Sequence, residues 1–209
     1  MINLIDWLQK IPDHKFSPLF DTEDGLAVKT FVKSSKNGDL CLLCRHPEME
    51  NNMIDVIETG LETANWVGII YIMGIGKFPD FIPLYIGKAD RKGVKHPLSG
   101  NIKNIRGNKS KFARWGDGLD YHIGDLSHAM FGFEAYRKPT KKYGKWAETL
   151  FVQKNQPVLK EKVYFYVMPW YENSKGLSSL ISSLPAVEKE IIAIASEQFK
   201  NHILNVDGI

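Results

Sequence analysis

Two tyrosine-bearing apolar segments and a run of cations hold the chemistry that this sequence could perform. Tyr71 closes Gly68-Ile69-Ile70-Tyr71, and Tyr85 opens Tyr85-Ile86-Gly87-Lys88, fourteen residues further on. Between Lys77 and Arg114 stand 10 basic residues against 2 acidic ones, a local charge of +8. A phenol accepts a proton near neutrality only when nearby positive charge stabilises its oxyanion, because its ordinary pKa is near ~10. Arginine and lysine neutralise phosphate, and guanidinium pairs with it bidentately. Taken alone, the two tyrosines read as core aromatics with satisfied hydroxyls. Taken alone, the cations read as a solvated face. Side by side they describe a site for a polyanion, since phosphate neutralisation supplies most non-specific affinity for nucleic acid.

The segments around these residues predict the elements that must carry them. Trp66 to Met73 and Phe81 to Gly87 are strands by composition, and Gly74, Gly76, Pro79 and Asp80 between them are turn chemistry. The short connection predicts an antiparallel hairpin. Lys109 to Trp115 predicts a short helix. Lys145 to Lys154 predicts a longer one, with Trp146, Leu150 and Phe151 on one face and Pro157 beyond its end. Val163 to Met168 is a third strand. Upstream, Ile2 to Leu8 and Pro47 to Thr63 have helical periodicity. Gly25 to Val32 and Asp39 to Cys44 read as strands around a turn at Asn37-Gly38. Pro185 to Leu204 closes the chain as an amphipathic helix, capped by Ser182 or Ser183. The fold class expected is α+β, a small central antiparallel sheet flanked by helices. Its parts are an N-terminal extension (1–65), a central domain (66–168), and a linker with a C-terminal helix (169–209).

The chain has 209 residues, 44% hydrophobic and 24% charged, with a formal charge of +3. That balance excludes disordered, collagenous and disulfide-stapled classes. The net charge conceals the −5 of residues 1–65 beside the +8 segment. The apolar run from Trp66 to Gly76 is too short to span a bilayer, and no signal peptide is readable, so a cytoplasmic protein without a membrane partner is expected. Cys41 and Cys44 with His46 lack a second ligand pair for structural zinc and read as small residues of a strand.

The two tyrosine segments, in this order and on neighbouring strands, resemble the GIY-YIG nuclease family, over about Trp66 to Val167. The hairpin loop is somewhat longer here than in the family. The resemblance implies a DNA endonuclease of restriction type, with extensions that wrap DNA and often build a homodimer. Tyr71 and Tyr85 take the two tyrosine positions. Tyr71 would be the general base, helped by Lys88 and Tyr85. Glu148, otherwise an ordinary exposed helix glutamate, matches the family's metal ligand for one Mg2+, or Mn2+ in its place, and Pro157 follows as the family pattern requires. Lys160 stands where the family has an Asn. The catalytic arginine is open among Arg114, Arg106 and Arg91, in that order, because none has a His or Tyr four residues on. Tyr121 or His122 would replace that partner from a nearby strand or loop. DNA-backbone contacts are expected from Lys88, Arg91, Lys92, Arg106, Lys109, Lys111, Lys141 and Lys142, the last two in a basic cluster that starts at Arg137. Two rival readings are a repair or structure-selective nuclease and a non-cleaving nucleic-acid-binding module on the same scaffold.

Overall fold

The computed structural model describes residues 3–35, 38–133 and 138–205. The expected turn residue Asn37 and the cluster residue Arg137 lie outside them. The described elements are α1 (Leu4–Lys10), β1 (Lys15–Pro18), β2 (Thr22–Glu23), β3 (Ala27–Val28), β4 (Thr30–Ser35), β5 (Gly38–Leu43), α2 (Pro47–Leu61), β6 (Trp66–Ile75) and β7 (Ile82–Asp90). There follow α3 (His122–Phe131), α4 (Lys141–Leu150), β8 (Phe151–Gln153), β9 (Gln156–Leu159), β10 (Val163–Tyr171) and α5 (Leu184–Gln198). The class is α+β, and its helices cover antiparallel sheets.

The central sheet runs β1-β10-β6-β7, all neighbours antiparallel. Its two middle strands are almost continuously apolar because helices cover both faces. On one face Ile69, Tyr71, Met73, Phe165 and Val167 pack against Met53 and Ile57 of α2, Ile123 and Leu126 of α3, and Trp146 and Leu150 of α4. On the other, Ile70, Ile72, Ile86, Tyr166 and Met168 pack against Leu4 and Leu8 of α1 and Val187 and Ile191 of α5. Alternate residues of one strand thus enter two separate cores, as the period of two requires. The N-terminal residues take part in this sheet, since β1 pairs with β10 as an edge strand.

Strand β7 forms the other edge. Asn205 covers part of it, its side chain accepting from the Ile86 N–H at 3.0 Å and donating to the Ile86 carbonyl at 2.8 Å. This leaves less open backbone for foreign strands to join. The register of β6 with β7 shifts at Met73/Gly74, where Tyr85 faces Met73 but Pro83 faces Gly74. Leu84 is the extra residue of this bulge, so both Leu84 and Tyr85 turn toward the α4 side.

Four expectations are corrected. The helix predicted at Lys145–Lys154 starts earlier, at Lys141, and ends at Leu150, where Phe151 opens β8. The helix predicted at Lys109–Trp115 is a single turn, Phe112–Arg114, with positive φ at all three residues (22°, 47° and 77°). The C-terminal helix stops at Gln198, not Leu204, and Ser183 at its N-cap makes no side-chain capping bond. The segment at His122 is neither strand nor loop but the first residue of α3. That helix is buried at every position from His122 to Met130, so it shows no amphipathic stripe to a periodicity reading.

Candidate functional site

Tyr71 and Tyr85 lie on adjacent strands of the central sheet with their ring centroids 6.4 Å apart. Gly87 is directly opposite Tyr71, and the Tyr71 ring lies across it: a Cβ there would meet ring carbons at 2.6 Å. The Tyr-Ile-Gly segment therefore serves this site twice, presenting Tyr85 and making room for Tyr71. His122 enters from the start of α3, its centroid 5.9 Å from Tyr71 and 5.2 Å from Tyr85. Trp115 and Trp146 close the cluster, 4.8 and 5.3 Å from the His122 ring.

The His122 imidazole joins two phenols. Its Nε2 is 3.1 Å from the Tyr71 hydroxyl and its Nδ1 is 2.8 Å from the Tyr143 hydroxyl, all buried. Burial, then the charges of Lys142 and Arg114, hold this histidine well below its ordinary pKa. A neutral imidazole has one N–H and one lone pair, so it donates to one of these phenols and accepts from the other. Burial also pushes the Tyr71 phenol well above the ordinary range; Tyr85 adds to the rise and the Arg114 guanidinium opposes it. Tyr71 is 2% exposed, so its hydroxyl is an internal group, which conflicts with the expected role of taking a proton from solvent water.

Tyr85 is different. It is only half-buried, and the Lys142 ammonium donates to its hydroxyl at 3.3 Å. The same ammonium lies 4.5 Å from the Tyr85 ring centroid and 5.3 Å from those of Tyr143 and Trp146, within cation–π range of three rings. Lys142 and Tyr143, neighbours in the first turn of α4, thus serve the two tyrosines by separate routes.

Arg114 is exposed, its guanidinium 5.8 Å over the Tyr121 ring, and its charge reaches both Tyr71 and His122. The left-handed turn that carries it is held from several sides. Ala113 donates to the Asn101 carbonyl at 2.7 Å, and Arg45 lies 4.6 Å over Phe112 and donates to the Trp115 carbonyl at 3.0 Å. Lys33 of β4 reaches Asp117 at 2.8 Å and Ser110 at 3.2 Å. Three successive strained residues persist only where surroundings over-determine them, and such places cluster at functional sites.

The other expected site residues are not gathered here. Lys88 is paired with Ile70 and so lies on the α5 face of the sheet, away from Tyr71, with its ammonium on Asp90. The Arg91 guanidinium donates to the carbonyls of Thr63, Ala64 and Trp66 at 3.1–3.2 Å and ties the α2–β6 turn. Arg106 is bidentate on Glu58 at 2.7 Å, and Lys109 is on Glu50. Lys92, Lys111 and Lys141 are exposed. Glu148 is exposed as well. It lies two residues from Trp146, about 200° around the helix axis, and Trp146 is the α4 ring on Tyr85, 4.6 Å away. Lys160 donates to the Glu148 backbone carbonyl at 2.6 Å. Among the described residues no three His, Cys, Asp or Glu side chains group as a metal site.

Sequence reasoning missed Tyr143, Trp115 and the position of Lys142 beside Tyr85. Only the helical spacing of Tyr143, Trp146, Ala147 and Leu150 could have placed Tyr143 on the inner face of α4. No helix among the described residues is long and apolar enough to cross a membrane. Comparison with family models, curated proteins and solved structures finds no match to this chain.

Proposed function

We propose that this chain is a metal-dependent endonuclease that hydrolyses DNA phosphodiester bonds at specific sites. The observation that carries the reading is the meeting of two phenols from neighbouring strands with a neutral imidazole and two cations, Lys142 and Arg114. Phosphodiester hydrolysis needs a base for water and positive charge for the phosphorane, and these groups are of the required types.

Tyr85 is the phenol that solvent reaches, so in this reading Tyr85 first loses its proton to solvent and its phenolate then takes the proton of the attacking water. The water oxygen bonds to phosphorus, the opposite P–O bond breaks, and the leaving oxygen is protonated from solvent. Arg114, exposed on its rigid turn, pairs with the non-bridging oxygens. Tyr71, His122 and Tyr143 form the rigid floor beneath Tyr85. An exposed lone carboxylate with waters and phosphate oxygens suits a hard divalent cation, so Glu148 would hold Mg2+ or Mn2+. The ion would neutralise phosphate charge on that side of α4. DNA is the partner, engaged by Arg114, Lys111, Lys92 and Lys141, with a homodimer as the assembly expected of a restriction-type enzyme.

The outward turn of Glu148 favours one second reading, a nucleic-acid-binding module that does not cut. Digestion of large genomic DNA with Mg2+ or Mn2+ separates the two. Discrete fragments are expected from the wild type, with loss of cutting in Tyr85→Phe, Arg114→Ala and Glu148→Ala, binding being retained in Tyr85→Phe and Glu148→Ala and weakened in Arg114→Ala. Binding without cutting under either cation overturns the nuclease reading. Cutting confined to branched or damaged DNA replaces site specificity by structure selectivity.

A further inference from the structure

Between α4 and the residues that follow α5 lies a cleft of about 170 Å3. Leu84 and Leu204, both buried, are in its floor. Its rim is cationic: Lys145 comes from α4, Lys160 follows β9 and His202 follows α5, against one carboxylate, Glu161. The Leu204 N–H donates to the Leu84 carbonyl at 2.7 Å and so docks the C-terminal segment on β7. The chain turns toward it at Asn201, whose φ of 71° is left-handed, a conformation that Asn tolerates. Three separate segments thus bring basic side chains to one opening. Two lysines less Glu161 leave the rim at +1, and a proton on His202 makes it +2.

These cations keep capacity for a ligand. The Lys145 ammonium makes no hydrogen bond or ion pair among the described residues. Lys160 gives one of its three donors to the Glu148 carbonyl at 2.6 Å. The His202 Nδ1 donates to the Lys200 carbonyl at 3.1 Å, which leaves Nε2 for a proton and then a ligand oxygen. The size of the cleft narrows the ligand. At about 30 Å3 per water it has room for roughly five or six waters, whereas a whole small-molecule ligand needs at least about 300 Å3. One compact anionic group presented by a larger molecule fits. The place narrows it further. Lys145 is three residues beyond Lys142 on α4, about 4.5 Å along the axis, and Leu84 precedes Tyr85 on β7. Phosphates of one DNA strand succeed each other about every 3.4 Å of axis. The cleft is therefore a step of about one or two phosphates from Tyr85.

We propose that this cleft is a phosphodiester subsite, in which Lys145, Lys160 and His202 hold a backbone phosphate that flanks the scissile one. That DNA is the ligand rests on the nuclease reading; that the cleft takes a phosphate rests on its own residues. The contact is to backbone alone, so it adds affinity to every sequence and fixes the position of the strand without reading a base.

Two probes test it on the full chain. Inorganic phosphate tests the cleft without DNA. At fixed pH and ionic strength, the ring C–H proton signals of His202, assigned by their loss in His202→Gln, should move as phosphate replaces chloride, and should stay still in Lys145→Ala. Random-sequence duplex DNA tests the ligand. The salt slope of binding should fall by about 1 in Lys145→Ala and by about 1 in Lys160→Ala. It should not change in Lys10→Ala, an exposed lysine of α1 on the opposite side of the sheet. Where DNA is cut, Lys145→Ala should raise the half-saturating DNA concentration and leave the single-turnover rate at saturation unchanged, as loss of uniform binding does. If Lys145→Ala and Lys160→Ala keep the wild-type slope, the proposal is overturned: phosphate moving His202 then marks an adventitious ion only, and cutting by the wild type leaves the nuclease reading intact. An equal fall of slope in Lys10→Ala reveals a diffuse field in place of a subsite and overturns it as well. If both probes respond as expected but the wild type cuts no DNA, the subsite stands and the nuclease reading falls.

Discussion

At the scale of residues, Gly87 and Gly144 make a contrast that the sequence does not announce. Gly87 lies under the Tyr71 ring with no space for a methyl group, whereas a Cβ on Gly144 in α4 would meet nothing within 4 Å. Gly87→Ala should destabilise the chain by about 1–3 kcal/mol, as overpacking does, and should displace Tyr71. Gly144→Ala should stabilise it by up to about 1 kcal/mol. Chemical denaturation of the two variants checks both signs. His122 gives a second residue-scale prediction. Its folded pKa is depressed, so the unfolded chain binds the proton first as pH falls. Stability is therefore fully present above the unfolded value of about 6.5 and is lost as pH falls from there toward the folded pKa, at up to about 1.4 kcal/mol per pH unit. Replacing His122 by Gln should flatten that part of the stability–pH curve, which denaturation at several pH values would show.

Single turns and strands raise a different question, namely what holds the Arg114 turn. Arg45 follows β5 in an apolar neighbourhood, and in sequence it is one arginine before a helix. In the fold its side chain is almost fully buried, bound to Glu50 at 2.7–2.9 Å and to the Trp115 carbonyl. Arg45→Ala leaves a carboxylate and a carbonyl short of a partner, with an expected cost of about 1.5–3 kcal/mol. It should also reduce DNA cleavage by loosening the turn, while Lys29→Ala, at an exposed surface ion pair with Asp21, should do neither. Thermal melts and cleavage rates of the two variants test this. The same scale shows why the residues around Arg114 do not form the expected helix: helical residue types over seven positions cannot reveal three successive left-handed residues whose turn is held by Asn101, Arg45 and Lys33. By contrast, the β6–β7 hairpin was legible, because two apolar runs joined by turn residues have few other ways to bury both faces.

For the whole molecule, the +8 segment is not a uniformly positive face. Arg106, Lys109 and Lys88 are paired with carboxylates and Arg91 with carbonyls, so four of its cations are engaged within the chain. Lys111 and Arg114 are exposed on one loop, without an ion pair among the described residues. Lys111→Ala should lower the salt slope of DNA binding by about 1, and Arg91→Ala should leave it nearly unchanged while costing stability. Binding titrations over a range of salt concentrations decide it. Composition and periodicity by themselves determined the α+β class, the tyrosine hairpin, α2 and the third strand, because burying alternate or helically spaced apolar residues is a local requirement. Only tertiary structure decided which side chains meet. A bulge at Leu84 turned Tyr85 toward α4, and a helix buried on all sides brought His122 to Tyr71. The angular position of Glu148 separated it from the ring that touches Tyr85, while Lys142 was brought to that tyrosine. Those meetings depend on packing between segments distant in the chain, and spacing within a segment carries no record of them.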